Sequence, residues 1–364
     1  MFWNRTLKVK VKKIRDSIMQ IAFVIKLNPK ANAFVFGVST WKQNYMRMFL
    51  ADYEVCFVPG NHVSFLLAKV ISRYKDVVFI SWGFNEDESV RMYAQKHNIP
   101  IYRIEDGFVR SIGLGAMHTP PFSLCLDKTG MYFDSTGPSD LEHILNTYNF
   151  HGNPELLLRA QTCMRQLTQL GLSKYNHVGK QNVEELYGPK TKRRILVVGQ
   201  VEDDASIRKG SAKQWTNFDL VQLAYNENPD GEIIYKPHPD VLTGRRPGCS
   251  NIEDIRKMAK VVEAPLSLDD SFQTIDHVYT ITSLSGFEAL MRGISVTTIG
   301  APFYSGWGLT DDRQPVARRK RKLAIEELFA GAYLLYPRYA DPFTGEVLTL
   351  EDTIQKLIKQ KEDM

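Results

Sequence analysis

Cysteine is scarce in this chain of 364 residues: Cys56, Cys125, Cys163 and Cys249 stand far apart, and none belongs to a C-x-x-C pair. That spacing indicates neither a zinc site nor a disulfide framework, so the four read as reduced thiols of core or surface. Long hydrophobic runs are missing too. No stretch of about 18 apolar residues occurs, which argues against a membrane-spanning helix. The opening "MFWNRTLKVKVKKIRDSIMQIAFVIKL" lacks the compact apolar centre and small-residue cleavage site of a secretory signal, and the expectation is a cytoplasmic protein. Neither sign of charge dominates, since 46 Lys and Arg against 41 Asp and Glu leave a net charge of +5. No nucleic-acid recognition motif accompanies the basic residues, so nucleic acid is not an expected partner.

What is present suits a soluble protein: 43% hydrophobic and 24% charged residues, at a length that predicts two domains. Basic residues cluster from Arg5 to Arg15, with Lys8, Lys10, Lys12 and Lys13 between, and again from Arg313 to Lys322. Either cluster reads as a solvated face. The first is followed by Ile18, Met19, Ile21, Ala22, Phe23 and Ile25, a roughly amphipathic pattern that also suits an anionic membrane surface.

Short apolar runs at 33–38, 54–59, 77–82 and 100–105 alternate with helix-like segments, the signature of a parallel α/β layer. A second series follows at 194–200, 232–236, 260–264, 277–283 and 295–300, with helices expected at Phe218 to Tyr225 and Ser285 to Arg292. The polar, irregular stretch 139–193 separates the two series. The predicted organisation is a basic segment 1–30, an α/β domain 31–185, a second α/β domain 186–330 and a helical segment 331–364. Two Rossmann-like domains facing a cleft are expected, with ligands beyond the carboxyl ends of the strands.

Five polar motifs fall at those ends. "EDGFVRS" places Glu105 and Asp106 before a glycine, with Arg110 close behind; it suits a general base or a charged turn. "VEDDAS" sets Glu202, Asp203 and Asp204 directly after a buried strand, where they suit chemistry or the capping of the next helix. In "YKPHPD", Pro237 and Pro239 restrain His238, with Lys236 at the strand's end. "TSLSGFEAL" opens a helix with Ser283 and Ser285, as an anion site or as an ordinary serine cap. "YSGWGLTDDR" combines glycines, Trp307, Asp311 and Arg313, a pattern for a sugar-contacting or helix-capping loop.

The motifs "EDGFVRSIGLG", "PFSLCLDKTGMYFD", "GQVEDDASI", "KPHPDVLTG", "SLSGFEALMRG", "YSGWGLTDDR" and "LLYPRYADPFTGE" together closely resemble the bacterial capsule-polysaccharide β-Kdo glycosyltransferases of the KpsC family, over about residues 100 to 350. Two modules are often fused in that family. This chain resembles one of them, and "QVEDDAS" is more similar to the second. The resemblance implies a GT-B-like glycosyltransferase that uses CMP-Kdo and retains the β configuration, acting on a lipid-linked, Kdo-primed acceptor in capsule biosynthesis; the basic N-terminal pattern leaves open a peripheral place at the inner membrane.

Retention by two displacements needs a carboxylate nucleophile. The resemblance gives that role to Asp204, with Asp203 as the alternative, and leaves Glu105 and Asp106 for acid/base work. His238 and Lys236 would meet the CMP phosphate with Ser283 and Ser285, while Gln200, Ser206 and Glu288 complete the donor site. Arg110, Trp307 and Asp311 would contact acceptor or sugar. No metal or other cofactor is expected. The rival readings are an inverting CMP-sialic acid transferase with Asp106 as base, a CDP-glycerol glycerophosphotransferase, and a non-catalytic scaffold of a capsule export complex.

Overall fold

The computed structural model describes residues 2–25, 27–113, 117–174, 181–247 and 251–362, with residues 2–10 described by their backbone alone. Cys249 and the side chains of Arg5, Lys8 and Lys10 lie outside the described parts. The chain forms two compact units. The first comprises Met1–Gly107, Gly115–Met131 and Pro337–Thr349, and the second Phe108–Leu114, Tyr132–Tyr336 and Leu350–Met364.

The first unit is built on β1 (Ala33–Phe36), β2 (Val55–Phe57), β3 (Val78–Trp82), β4 (Ile101–Asp106) and β5 (Ser123–Asp127), with later strands to come from the chain's end. β2, β1, β3 and β4 are parallel neighbours, and β5 runs antiparallel to β4. Alternation along β1 explains its two-sided burial. Ala33 and Val35 pack with Ile80, Trp82, Ile104 and Met46 on one face, while Phe34 and Phe36 pack with Phe79, Leu67, Ile71 and Val90 on the other. Helix Thr40–Phe49 covers the first face, and helices Phe65–Ile71 and Glu88–Lys96 cover the second.

The second unit has β6 (Arg194–Val198), β7 (Glu232–Lys236), β8 (Lys260–Val261), β9 (His277–Thr280), β10 (Ser295–Thr298) and β11 (Asp311–Asp312), all parallel. Ile195, Val197 and Tyr235 pack on Leu220, Val221 and Ala224 of helix Asn217–Glu227, which starts at a capping box between Thr216 and Asp219. β12 (Arg338–Ala340) and β13 (Val347–Leu348) return to the first unit, antiparallel beside β5.

Every apolar run expected to be a strand contains one, and both expected helices form. The segment boundaries differ. Residues 139–193 do not separate the units, because helix Pro154–Gln169 buries Leu156, Ala160, Cys163 and Leu167, and its Arg159 makes a forked ion pair with Glu351 at 2.9 and 3.2 Å within the second unit. The expected helical segment 331–364 instead begins in a π-helix, Ala330–Leu335, and holds two strands before helix Leu350–Glu362. The basic stretch 313–322 is a solvated face only in part: Arg313, Lys320 and Lys322 are exposed, whereas the other three arginines are tied down. Arg318 binds Glu142 at 2.6 Å and the carbonyls of Ser135 and Gly137 at 2.8 and 2.9 Å, Arg319 is directed to the carbonyls of Pro302 and Ser305, and Arg321 donates to Tyr148 O at 2.9 Å. Guanidinium forks close loops here by satisfying backbone oxygens.

Candidate active site at the strand ends of the second unit

The strand order β8-β7-β6-β9-β10-β11 starts in the middle at β6, builds outward to β8, and returns to the other side of β6 for β9. Loops leaving β6 and β9 therefore diverge, and the crevice at their carboxyl ends is where open α/β sheets hold ligands. Two segments flank that crevice, Gly199 to Asp204 after β6 and Ile281 to Ser285 after β9, and Pro237 to Asp240 follows the neighbouring strand β7.

Gln200 ties the segment after β6 to the one after β9. Its Oε1 accepts from Thr282 N at 2.8 Å, its Nε2 donates to Thr282 Oγ1 at 3.1 Å, and its backbone N–H donates to Asn217 Oδ1 at 2.9 Å. The side chain is buried and both ends of its amide are engaged. Gln200, expected to touch the donor, is in this structure a clamp that sets the spacing of two loops.

The three acidic residues after β6 separate into distinct tasks. Glu202 accepts the N–H of Asn217 at 2.9 Å, and Asp203 pairs with Arg246 at 3.5 Å. Asp204 caps helix Ala205–Gly210: its Oδ1 accepts Ser206 N at 2.8 Å and Ser206 Oγ at 2.7 Å. Capping occupies one oxygen. Asp204 Oδ2 makes no hydrogen bond among the described residues, and the carboxylate is exposed, close enough to His238 to favour its charged form.

His238 is itself a cap. Its Nδ1 accepts the N–H of Asp240 at 3.1 Å at the start of helix Pro239–Leu242, which leaves the ring proton on Nε2. Burial lowers its pKa, opposed by Asp240. Lys236 ends β7 with 7% of its surface exposed, and its ammonium has no hydrogen bond or ion pair among the described residues. Desolvation brings its pKa down to about 8. A buried ammonium without a counterion is costly unless an anion joins it.

Ser283 Oγ caps helix Leu284–Leu290 by accepting Ser285 N at 3.2 Å, and it donates to Ser285 Oγ at 3.1 Å. Gly286 is required there, because a Cβ would stand 2.2 Å from the hydroxyl of Tyr304, which donates to Ser283 O at 2.5 Å. Glu288 is buried in the same helix. Lys174 N donates to its Oε1 at 3.4 Å, and burial raises its pKa to about 7, against the pull of Arg292. Lys174 also acts electrostatically on His238. No sequence motif pointed to Lys174, whereas the buried hydroxyls of Thr280 and Thr282 were readable as polar residues at the end of an apolar strand.

Of the residues expected elsewhere, Glu105 and Asp106 end β4 in the first unit, with Asp106 N donating to Glu105 Oε1 at 3.0 Å. Gly107 follows because a Cβ there would meet Ser123 Oγ at 2.2 Å. Asp311 lies on the edge strand β11, bonded to Arg313 at 2.8 Å and Thr297 at 3.1 Å. Arg110 is buried and donates to Ser111 Oγ at 2.8 Å, so it is not a surface contact for an acceptor. Trp307 is corrected as well. The indole is wholly buried, donates to Phe303 O at 2.8 Å, and lies under the Arg319 guanidinium, so it offers no face to a sugar.

A sequence model described as capsule polysaccharide biosynthesis protein matches residues 77–187 and 145–339. The chain belongs to the capsule polysaccharide biosynthesis protein family. It is 46% identical over 327 residues to the lipopolysaccharide-processing protein LpsZ of Rhizobium meliloti, covering 90% of this chain and 74% of that one. It is 40% identical to the capsule polysaccharide modification protein LipA of Neisseria meningitidis serogroup B, covering 95% of this chain but only 48% of LipA. The chain thus spans about half the length of LipA. Among solved structures, the Thermosulfurimonas dismutans KpsC β-Kdo 2,4 transferase superimposes with a TM-score of 0.79 at 34% identity, over 91% of this chain and 99% of that one. The β-Kdo 2,7 transferase of the same organism gives 0.69 at 33% identity over the same shares. The family's α/β architecture and the KpsC resemblance read from the motifs are both present in this member.

Proposed function

We propose that this family member is a retaining β-Kdo glycosyltransferase that takes Kdo from CMP-Kdo and passes it to a lipid-linked, Kdo-primed acceptor. The observation that carries the reading is that an exposed carboxylate, Asp204, a buried ammonium with no partner among the described residues, Lys236, and an N–H donor, His238, stand at the carboxyl ends of the neighbouring strands β6 and β7. Likeness to the two KpsC transferases supports the choice of donor.

In this reading the CMP phosphate rests against Lys236 and His238 Nε2–H, with the Ser283 and Ser285 hydroxyls alongside. Asp204 Oδ2 attacks the anomeric carbon. The bond from that carbon to the phosphate oxygen breaks, and CMP leaves with the electron pair, its charge met by fixed donors. The acceptor hydroxyl then displaces the Asp204 carboxylate and gives up its proton to a general base. Two inversions give retention.

The test is incubation with CMP-Kdo and, separately, CMP-sialic acid, each with a Kdo-primed glycolipid, followed by NMR of the new anomeric centre. β-Kdo product from CMP-Kdo alone is expected. An inverted centre would transfer the chemistry to Asp106 as base, and no product from either donor would favour the scaffold reading.

A further inference from the structure

Over residues 11–25, helix Phe2–Ile25 has one face that packs and an opposite face that is apolar although it stays exposed among the described residues. On the packed face Asp16 and Gln20 are buried. Ser17 Oγ lies 2.9 Å from His62 Nε2, Gln20 Nε2 donates to the carbonyls of Pro59 and His62 at 2.9 and 2.8 Å, and Lys13 pairs with Asp87 at 2.7 Å. Phe23 and Val24 join the core beneath. The helix is therefore held with a fixed rotation.

Given that rotation, Val11, Ile14, Ile18, Ile21 and Ile25 face away from the unit, with exposures of 58, 62, 62, 50 and 79%. Their alternating steps of three and four confine them to a stripe about 80° wide at about 100° per residue. Exposed apolar residues scattered singly need no explanation, but a contiguous row does. Lys12 and Arg15 are exposed beside it. By sequence the helix carries six basic residues, Arg5, Lys8, Lys10, Lys12, Lys13 and Arg15, against a single acidic one, Asp16, which is buried. Among the described residues no helix is long and apolar enough to cross a membrane.

An aliphatic row edged by lysine and arginine, without an exposed carboxylate on the helix, is the composition that settles between anionic headgroups and acyl chains. A protein partner or a second copy could cover the row, but would gain nothing evident from the surplus of positive charge. We propose that the outward face of helix Phe2–Ile25 docks the protein on a bilayer containing anionic phospholipid, lying in the interface rather than spanning it. The inference stands independently of the donor-site reading.

The test is co-sedimentation of the full chain with vesicles of phosphatidylcholine mixed with phosphatidylglycerol, and with phosphatidylcholine alone. Wild type should partition to the mixed vesicles and lose that preference as salt screens the charges. The variant I14S/I18S/I21S should partition about tenfold less or weaker still. Because these side chains leave the packed face intact, its melting temperature should match wild type. K12Q/R15Q should reduce the preference for phosphatidylglycerol without removing residual binding. Equal sedimentation of wild type and the serine variant would overturn the proposal. So would a wild-type dimer in light scattering that the serine variant dissolves while neither protein binds vesicles, a result that would assign the face to a second copy.

Discussion

The Nδ1 atom of His238 accepts the backbone N–H of Asp240 at 3.1 Å, so one hydrogen bond both caps a helix and assigns the ring proton to Nε2. The two roles can be separated by substitution. Asparagine at this position can keep the cap through its side-chain oxygen but cannot put a donor where Nε2 lies. His238→Asn should therefore melt near the wild-type temperature while CMP affinity falls by about 1.5–3 kcal/mol, the scale of one hydrogen bond to a charged group. His238→Ala should lose the same affinity and a further ~0.5–2 kcal/mol of stability with the cap. Calorimetry and thermal melts read the two effects apart, and unchanged CMP affinity in both variants would remove His238 from the site.

Lys236 predicts opposite pH trends for folding and for binding. Its folded pKa, lowered to about 8 by desolvation, lies below the roughly 10.4 of an unfolded lysine. Between those values the unfolded chain binds more protons, so this group's contribution to stability rises with pH and is lost again as pH falls through 8. Nucleotide affinity should move the other way, declining above about pH 8 as the ammonium that meets the phosphate is lost. Lys236→Met should flatten both trends, be at least as stable as wild type at neutral pH, and bind CMP weakly. Denaturant melts and calorimetry from pH 7 to 10 check this; a variant that loses stability would mean the ammonium has a partner in the folded chain.

Much of the fold was legible because it rests on buried parallel strands. Runs such as Ile195 to Val198 and Ile233 to Tyr235 are apolar on both faces, and that pattern needs no tertiary information. β5, β12 and β13 gave no comparable signal, since Ser123, Asp127 and Arg338 become strand residues only through antiparallel pairing with distant segments. At the site, the strand ends bearing Asp204, Lys236, His238 and Ser283 were readable from their order along the chain. Burial was not. Nothing local distinguishes Trp307 under Arg319 from a sugar-facing tryptophan, or an amide engaged at both ends, as in Gln200, from one that awaits a ligand.

Glu288 carries a second pH signature. Burial raises its folded pKa to about 7, whereas an unfolded chain ionises glutamate near 4.3. The folded state then binds the extra proton, so the contribution is stabilising below about pH 4 and is lost as pH rises through 7. Glu288→Gln keeps an acceptor for the Lys174 N–H and carries no charge to bury. The difference in stability between variant and wild type should favour the variant and grow between pH 5 and 8. A constant difference across that range would mean that Glu288 remains ionised throughout, and would assign its low exposure to a salt bridge.

The last prediction concerns Asp204, whose carboxylate has one oxygen tied to Ser206 N and Oγ and the other unbonded among the described residues. If Oδ2 is the nucleophile, wild-type protein given CMP-Kdo without acceptor should release CMP and carry one Kdo mass on a peptide containing Asp204. Asparagine can keep the capping oxygen while replacing the attacking one with an amide. Asp204→Asn should thus retain its melting temperature and CMP affinity, form no adduct, and lose transfer by a factor of about a thousand or more, since an interaction made only in the transition state is removed. Asp203→Asn serves as the neighbouring control. Its carboxylate is paired with Arg246 at 3.5 Å, and its loss should leave adduct formation intact. Intact-protein mass spectrometry with peptide mapping decides between them: an adduct on Asp203, or near-normal transfer by Asp204→Asn, would overturn the assignment and reduce Asp204 to the helix cap that its Oδ1 already forms.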